Sequence, residues 1–292
     1  MTKRKYHIII PFLFPAILLY IVFVIYPYGR SMYISLTNWR GLTPNPQYIG
    51  LKNFEKLLHD RYFWNALENN LTYLIFIPAI TIIIALYLAF LLTHGKARFS
   101  RFYRITFFFP QVMSLVAIGV LWSFIYHPTI GILSAITKFF GAKEPIAWLG
   151  NPDYALAAVG AVVVWQAVGF YMVLFIAGMD SIPVSFYEAA VIDGANRWHL
   201  FWKITLPLLW DTIRTAMVFL AIGAIDMFAI TQTMTEGGPN RSTEVLAYYV
   251  YERAFLASRF GYATAVAMAM FVLAFVLSIL TMTVTRRESL EY

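Results

Sequence analysis

The segment EAAVIDGANRWHLFWKITLP, residues 188–207, places an acid beside two alanines, an Asp-Gly pair, two bases and a proline between two apolar runs, 155–179 and 215–235. Working outward, four more runs are long enough for a bilayer, which takes about 20 apolar residues per helix. They cover 8–28, 71–93, 105–126 and 262–285. Asp226, in 215–235, is the one charged residue in any of the six. The chain is 292 residues long, 60% hydrophobic and 13% charged. Soluble domains average about 25% charged, so the sequence predicts an all-α integral membrane protein with six spanning helices in a single domain. The runs are continuous rather than alternating, which argues against a membrane barrel.

Orientation follows the Lys and Arg distribution. With the N-terminus inside, the inner segments 1–7, 94–104, 180–214 and 286–292 hold 12 Lys/Arg in 60 residues, against 10 in the 96 outer residues. The bias is densest in 94–104, with Lys96, Arg98, Arg101 and Arg104. Both termini are expected in the cytoplasm. The first run reads as a retained anchor, because no small-residue cleavage site follows it. The positive-inside bias accounts for the inner share of the net charge of +7, and nothing in the sequence points to nucleic acid.

The absence of cysteine excludes disulfides and thiolate chemistry. There is no phosphate-binding G-x-x-x-x-G-K-[ST], no G-x-S-x-G and no H-E-x-x-H. His7, His59, His94, His127 and His199 are scattered, without ligand spacing. The chain is therefore expected to be no enzyme and to hold no metal or cofactor. Work against a gradient would draw on an ion gradient or on a partner. No internal repeat relates the two halves.

The loop 180–214 reads as follows. Pro183 suits a first helical turn, Ser185 and Glu188 have capping-box spacing, and Asp193-Gly194 favours a left-handed stop. The resulting helix of about three turns is too short to stand alone in water and needs a surface. A second short helix is expected over 196–203, with Pro207 leading into the fifth span. One reading is a surface helix that joins two spans. The other is a docking peg, in which Ala189 and Ala190 permit close packing and Glu188 meets an arginine of another protein.

Glu188-Ala189-Ala190, then Asp193-Gly194-Ala195, Phe201 and Ile204-Thr205-Leu206-Pro207 resemble the EAA motif of permeases of binding-protein-dependent ABC importers. Thr235-Glu236-Gly237-Gly238-Pro239 with the aromatic segment 248–255, and the outer stretch 45–73, resemble the carbohydrate importers of the maltose and glycerol-phosphate type, the first of two non-identical permease subunits. The resemblance implies the type I importer fold, with 180–214 as the coupling-helix loop. It implies that Glu188, Ala189, Ala190, Asp193 and Gly194 contact a separate ATPase. It also implies a second permease, two ATP-binding subunits that hold ATP and magnesium, an extracytoplasmic solute-binding protein, a sugar substrate and a bacterial inner membrane location.

Polar side chains at membrane depth mark pathways or helix contacts. The candidates are Gln111, Ser114, Gln166, Asp226 and Gln232, with Pro110 expected to loosen the third span beside Gln111. The resemblance adds the region 165–170, where Trp165 and Phe170 offer apolar faces beside Gln166. It also covers Gly223 and Ala224, which are small and apolar. The substrate pathway is thus expected to involve Gln111, Trp165, Gln166, Phe170 and Asp226. A glycerol-phosphate substrate, or a stand-alone ion-coupled transporter using Asp226, remain the alternatives.

Overall fold

A bilayer leaves the backbone no hydrogen-bonding partner except its own chain, so the apolar runs become helices. The computed structural model describes residues 3–42, 46–94, 99–141 and 144–284. Lys96, Arg98 and the segment 286–292 of the expected inner surface lie outside them, as do the side chains of Lys3, Arg4 and Lys5. Among the described residues, the only β-pairing is an isolated bridge between Thr37 and Tyr48.

In chain order the helices are α1 (Lys3–Tyr20), α2 (Tyr26–Ser35), α3 (Lys52–Leu58), α4 (Arg61–His94), α5 (Ser100–Val112), α6 (Leu115–Ile125), α7 (Ile132–Phe139) and α8 (Pro152–Asp180). There follow α9 (Val184–Ile192), α10 (Arg197–Leu200), α11 (Leu206–Leu208), α12 (Trp210–Ile225), α13 (Phe228–Met234), α14 (Leu246–Tyr251) and α15 (Phe260–Val284). Short π-helical turns at 21–25 and 201–205 join α1 to α2 and α10 to α11.

Among the described residues, four helical stretches are long and apolar enough to cross a membrane alone: Pro11–Ser35, Arg61–Thr93, Pro152–Asp180 and Phe260–Thr283. Two bent pairs bring the number to six. The third expected run, 105–126, divides into α5 and α6, which turn through 102°. Pro110 stays inside α5, and the chain leaves the helix at Met113 and Ser114, whose backbones are extended. The fifth run, 215–235, also divides. α12 ends at Ile225, Asp226 lies off helical geometry at φ −95°, ψ 74°, and α13 starts at Phe228. The 197–208 stretch meets α12 at 67°.

The chain forms two compact units, Met1–Phe63 with Tyr249–Val272, and Trp64–Tyr248 with Leu273–Tyr292. In the first unit, α3 holds the end of α2, since Asn53 donates to the carbonyls of Ser35 and Thr37 at 2.8 Å each. In the second, α8 is the central helix, with 14 buried residues along its length. Gly160, Gly169 and Gly178 lie nine residues apart, about two and a half turns, so successive glycines face opposite sides. Each receives a different neighbour: Tyr73 of α4, the Phe107 carbonyl of α5, and Leu209 with Thr212 at the start of α12. The closest approach is at Gly169, where an added Cβ would lie 1.8 Å from the Phe107 oxygen.

Candidate functional site: a docking helix and a polar pair in broken spans

Helix α9 grows from local signals. Its N-cap is Pro183, with no side-chain cap, so the Ser185–Glu188 capping box does not form. Its stop is the expected one. Gly194 adopts φ +80°, its N–H donates to the Val191 carbonyl at 3.0 Å, and the Ala195 N–H reaches back to Ala190 at 2.9 Å. These two bonds are the paired closures of a Schellman turn. Asn196 then caps α10 by accepting the His199 N–H at 2.9 Å.

One side of α9 is tied down. The Tyr187 hydroxyl lies 3.2 Å from Thr205 Oγ1, and Thr205 is fully buried. Around that tie, Val184, Glu188, Val191 and Ile192 recur at helical spacing, and all four are exposed, Ile192 at 85%. Ala189, Asp193 and Gly194 are exposed beside them, and Ala190 is half-buried. An acid set among exposed aliphatic side chains, outside the spans, is the composition of a protein contact.

The second element lies between α5 and α8. Gly169 lets the two backbones touch, and Gln166 Nε2 then donates to Gln111 Oε1 at 2.7 Å. Both glutamines are half-buried. The bond uses one donor of Gln166 and one acceptor lone pair of Gln111. The Gln111 NH2 group and the Gln166 carbonyl keep free hydrogen-bonding capacity for a hydroxylated solute. Phe170, one turn from Gln166 on the same face, is 38% exposed.

Trp165 is not part of this pair. It stands edge-on to Trp122 at 5.3 Å and lines a separate cavity of about 1020 Å³, walled mainly by apolar residues of α4, α5 and α8 such as Ile80, Phe109 and Val164. Asp226 is exposed at the α12–α13 break, and no described side chain hydrogen-bonds or pairs with its carboxylate. No hydrogen bond joins Asp226 to Gln111 or Gln166. Ser114 sits at the other break, between α5 and α6. Gln232 lies in α13, with its Oε1 buried and unpartnered. Gly223 is exposed, with open space around it, and Ala224 is buried. Among the described residues, no group of His, Cys, Asp or Glu could hold a metal ion.

Two clusters escaped the sequence reading. In the second unit, Asn65, Asn69 and Asn70 of α4 hold the 241–246 loop and the end of α12. Three asparagines in two turns just ahead of an apolar run were the available signal. In the first unit, Asp60 accepts the hydroxyls of Tyr249 and Tyr262 at 2.5 and 2.6 Å and the Tyr62 N–H at 3.0 Å. The Arg253 guanidinium lies 4.7 Å over the Tyr249 ring. Burial pushes the Asp60 carboxyl up, but these three hydrogen bonds and the Arg253 charge outweigh it and hold the group below the usual aspartate value. Nothing local marked this cluster, whose members lie almost 200 residues apart.

Broken spans around a central helix, with a short exposed helix in the loop that follows it, fit the membrane subunit of a transporter. Residues 81–289 match the model of the binding-protein-dependent transport system inner membrane component family, and the chain belongs to that family. It is 35% identical to the diacetylchitobiose uptake system permease protein NgcF of Streptomyces coelicolor, over 98% of this chain and 84% of that protein. It is 36% identical to the probable ABC transporter permease protein YurN of Bacillus subtilis, over 94% and 95%. It is 33% identical to the lactose transport system permease protein LacF of Rhizobium radiobacter, over 96% and 95%. A chain of a bacterial alginate ABC transporter, solved in complex with an alginate pentasaccharide-bound periplasmic protein, superposes with a TM-score of 0.83 at 22% identity, over 98% and 96% of the two chains. The fold is that of an ABC importer permease, and the protein is a multi-pass membrane permease.

Proposed function

We propose that the chain is one of two similar permease subunits of an ATP-driven importer that carries a mono- or oligosaccharide across the bacterial inner membrane. The observation that carries this reading is α9, which turns Glu188 outward among exposed aliphatic residues while Tyr187 ties it to Thr205. A helix tied to its own chain that also exposes aliphatic side chains is suited to transmit force from a partner. In this reading the partner is an ATPase dimer, which binds ATP and magnesium. Glu188, Ala189, Ala190, Asp193 and Gly194 form the contact. This chain itself holds no cofactor and no ATPase site, and both termini face the cytoplasm.

The carbohydrate is supported by the relatives, two of which are named for a diacetylchitobiose uptake system and a lactose transport system. It is supported also by chemistry. The amides of Gln111 and Gln166 can exchange hydrogen bonds with sugar hydroxyls, and Phe170 offers an apolar face beside them. Solute would arrive from an extracellular binding protein and pass these residues as the spans rock. Asp226 stands at the α12 break, where it can accept hydroxyls.

The test is purification of the tagged chain from native membranes in mild detergent, followed by uptake with a Glu188→Lys variant. We expect an ATPase and a second permease in amounts comparable to the chain. We expect the variant to insert normally and to transport nothing. Recovery of the chain alone, with uptake that needs no ATP and disappears in Asp226→Asn, would replace this reading with an ion-coupled transporter.

A further inference from the structure

Asn70 is 1% exposed and joins two segments that are distant in sequence. Its Nδ2 donates to the carbonyls of Ala224, at 2.9 Å, and Ile225, at 3.2 Å. Its Oδ1 accepts the N–H of Leu246 at 2.8 Å. The two carbonyls are the last of α12. They lack helical partners because the chain turns away at Asp226. The N–H belongs to the first residue of α14, which has no preceding turn to bond to. One side chain therefore satisfies three orphaned backbone groups on two elements. Buried groups of this kind are costly to leave unpaired.

The same helix holds the rest of the outer loop. Asn69 Nδ2 donates to the Glu244 carbonyl and Asn65 Nδ2 to the Arg241 carbonyl, each at 2.8 Å. The loop is internally braced by Thr243, whose Oγ1 lies 2.7 Å from Thr235 Oγ1 and donates to the Gly238 carbonyl at 2.7 Å. A braced loop and the break in the fifth span are thus hung on one stretch of α4, about two turns long.

We infer that Asn70 is a positioning residue that makes the outer loop 236–246 and the break at Asp226 move together. Displacement of the loop by a docked extracellular protein then reopens or closes the span at Asp226. The functional part of this inference rests on the importer reading above. The mechanical part does not.

Hydrogen exchange on the complete complex in lipid nanodiscs tests the mechanical part. Asn65→Ala with Asn69→Ala loosens the loop while leaving Asn70 in place. Amide exchange should then rise together in 241–246 and in 224–228, by about tenfold, the size of a typical coupling between sites. A rise confined to 241–246 would overturn the inference. Asn70→Asp keeps the acceptor for Leu246 and removes the donor to Ala224 and Ile225. In proteoliposomes containing the binding protein with lactose or diacetylchitobiose, this variant should keep basal ATP hydrolysis within about twofold and lose about tenfold of its stimulation. A purely structural role would lower both activities together and would refute the coupling. If Asn70→Asp does not assemble, the exchange result decides alone. If the wild-type complex contains no ATPase, the importer reading fails while the exchange result still stands.

Discussion

Gly169→Ala should break the Gln111–Gln166 pair without touching either glutamine. The new Cβ would lie 1.8 Å from the Phe107 carbonyl oxygen, where ordinary contact starts at 3.4 Å. The difference, about 1.6 Å, must come from separating α5 and α8, because the obstacle is backbone and not the end of a flexible side chain. Taken along the 2.7 Å bond, that separation carries Gln166 Nε2 beyond 4 Å from Gln111 Oε1, outside hydrogen-bonding range. Overpacking of this kind costs about 1–3 kcal/mol, and the lost bond adds about 0.5–1.5 kcal/mol. The assay is uptake by the reconstituted complex beside its thermal unfolding midpoint, for Gly169→Ala, Gln166→Met and the double variant. Uptake should fall in both single variants, and the double variant should be little worse than Gly169→Ala, because one contact is lost either way. Full additivity, or a Gly169→Ala complex with wild-type uptake and midpoint, would refute the reasoning.

Two further outcomes follow from the caps and the outer cluster. Gly194→Ala forces a side chain into φ +80°, which costs about 1–2 kcal/mol; amide protection across 191–195 should fall in hydrogen exchange while the spans keep theirs. Asp60 has a folded pKa below its unfolded value of about 3.8, so its contribution to stability is fully present above that value and is lost as pH falls through the folded pKa. Thermal unfolding measured from pH 6 down to pH 3 should show a decline below about pH 4 that Asp60→Asn, already lacking the charge, does not share.

The sequence by itself determined whatever depends on neighbours along the chain. Six apolar runs must be helices because lipid offers their backbones nothing else, and Asp193-Gly194 must end α9 because glycine alone takes a left-handed turn without penalty. The helix stop was legible for the same reason: the acid, the two alanines and the Asp-Gly pair lie within seven residues. Tertiary structure decided where two of the runs stop being helices. Pro110 and Asp226 marked the neighbourhood of each break in the sequence, but not that the helix ends at Met113 or turns away at Asp226. At the second break Asn70, more than 150 residues away, donates to the carbonyls that the ending helix leaves bare. Gln111 and Gln166 were visible as polar residues in apolar runs, but their pairing depends on Gly169 admitting the Phe107 carbonyl. Trp165, next to Gln166 in the chain, faces an apolar cavity instead of the glutamine pair because a helix turns about 100° per residue. Asp60 shows the limit most plainly, since its charge is settled by tyrosines 189 and 202 residues further on. Local chemistry could place a segment in or out of the membrane, but pairing buried polar groups required the chain to be folded first.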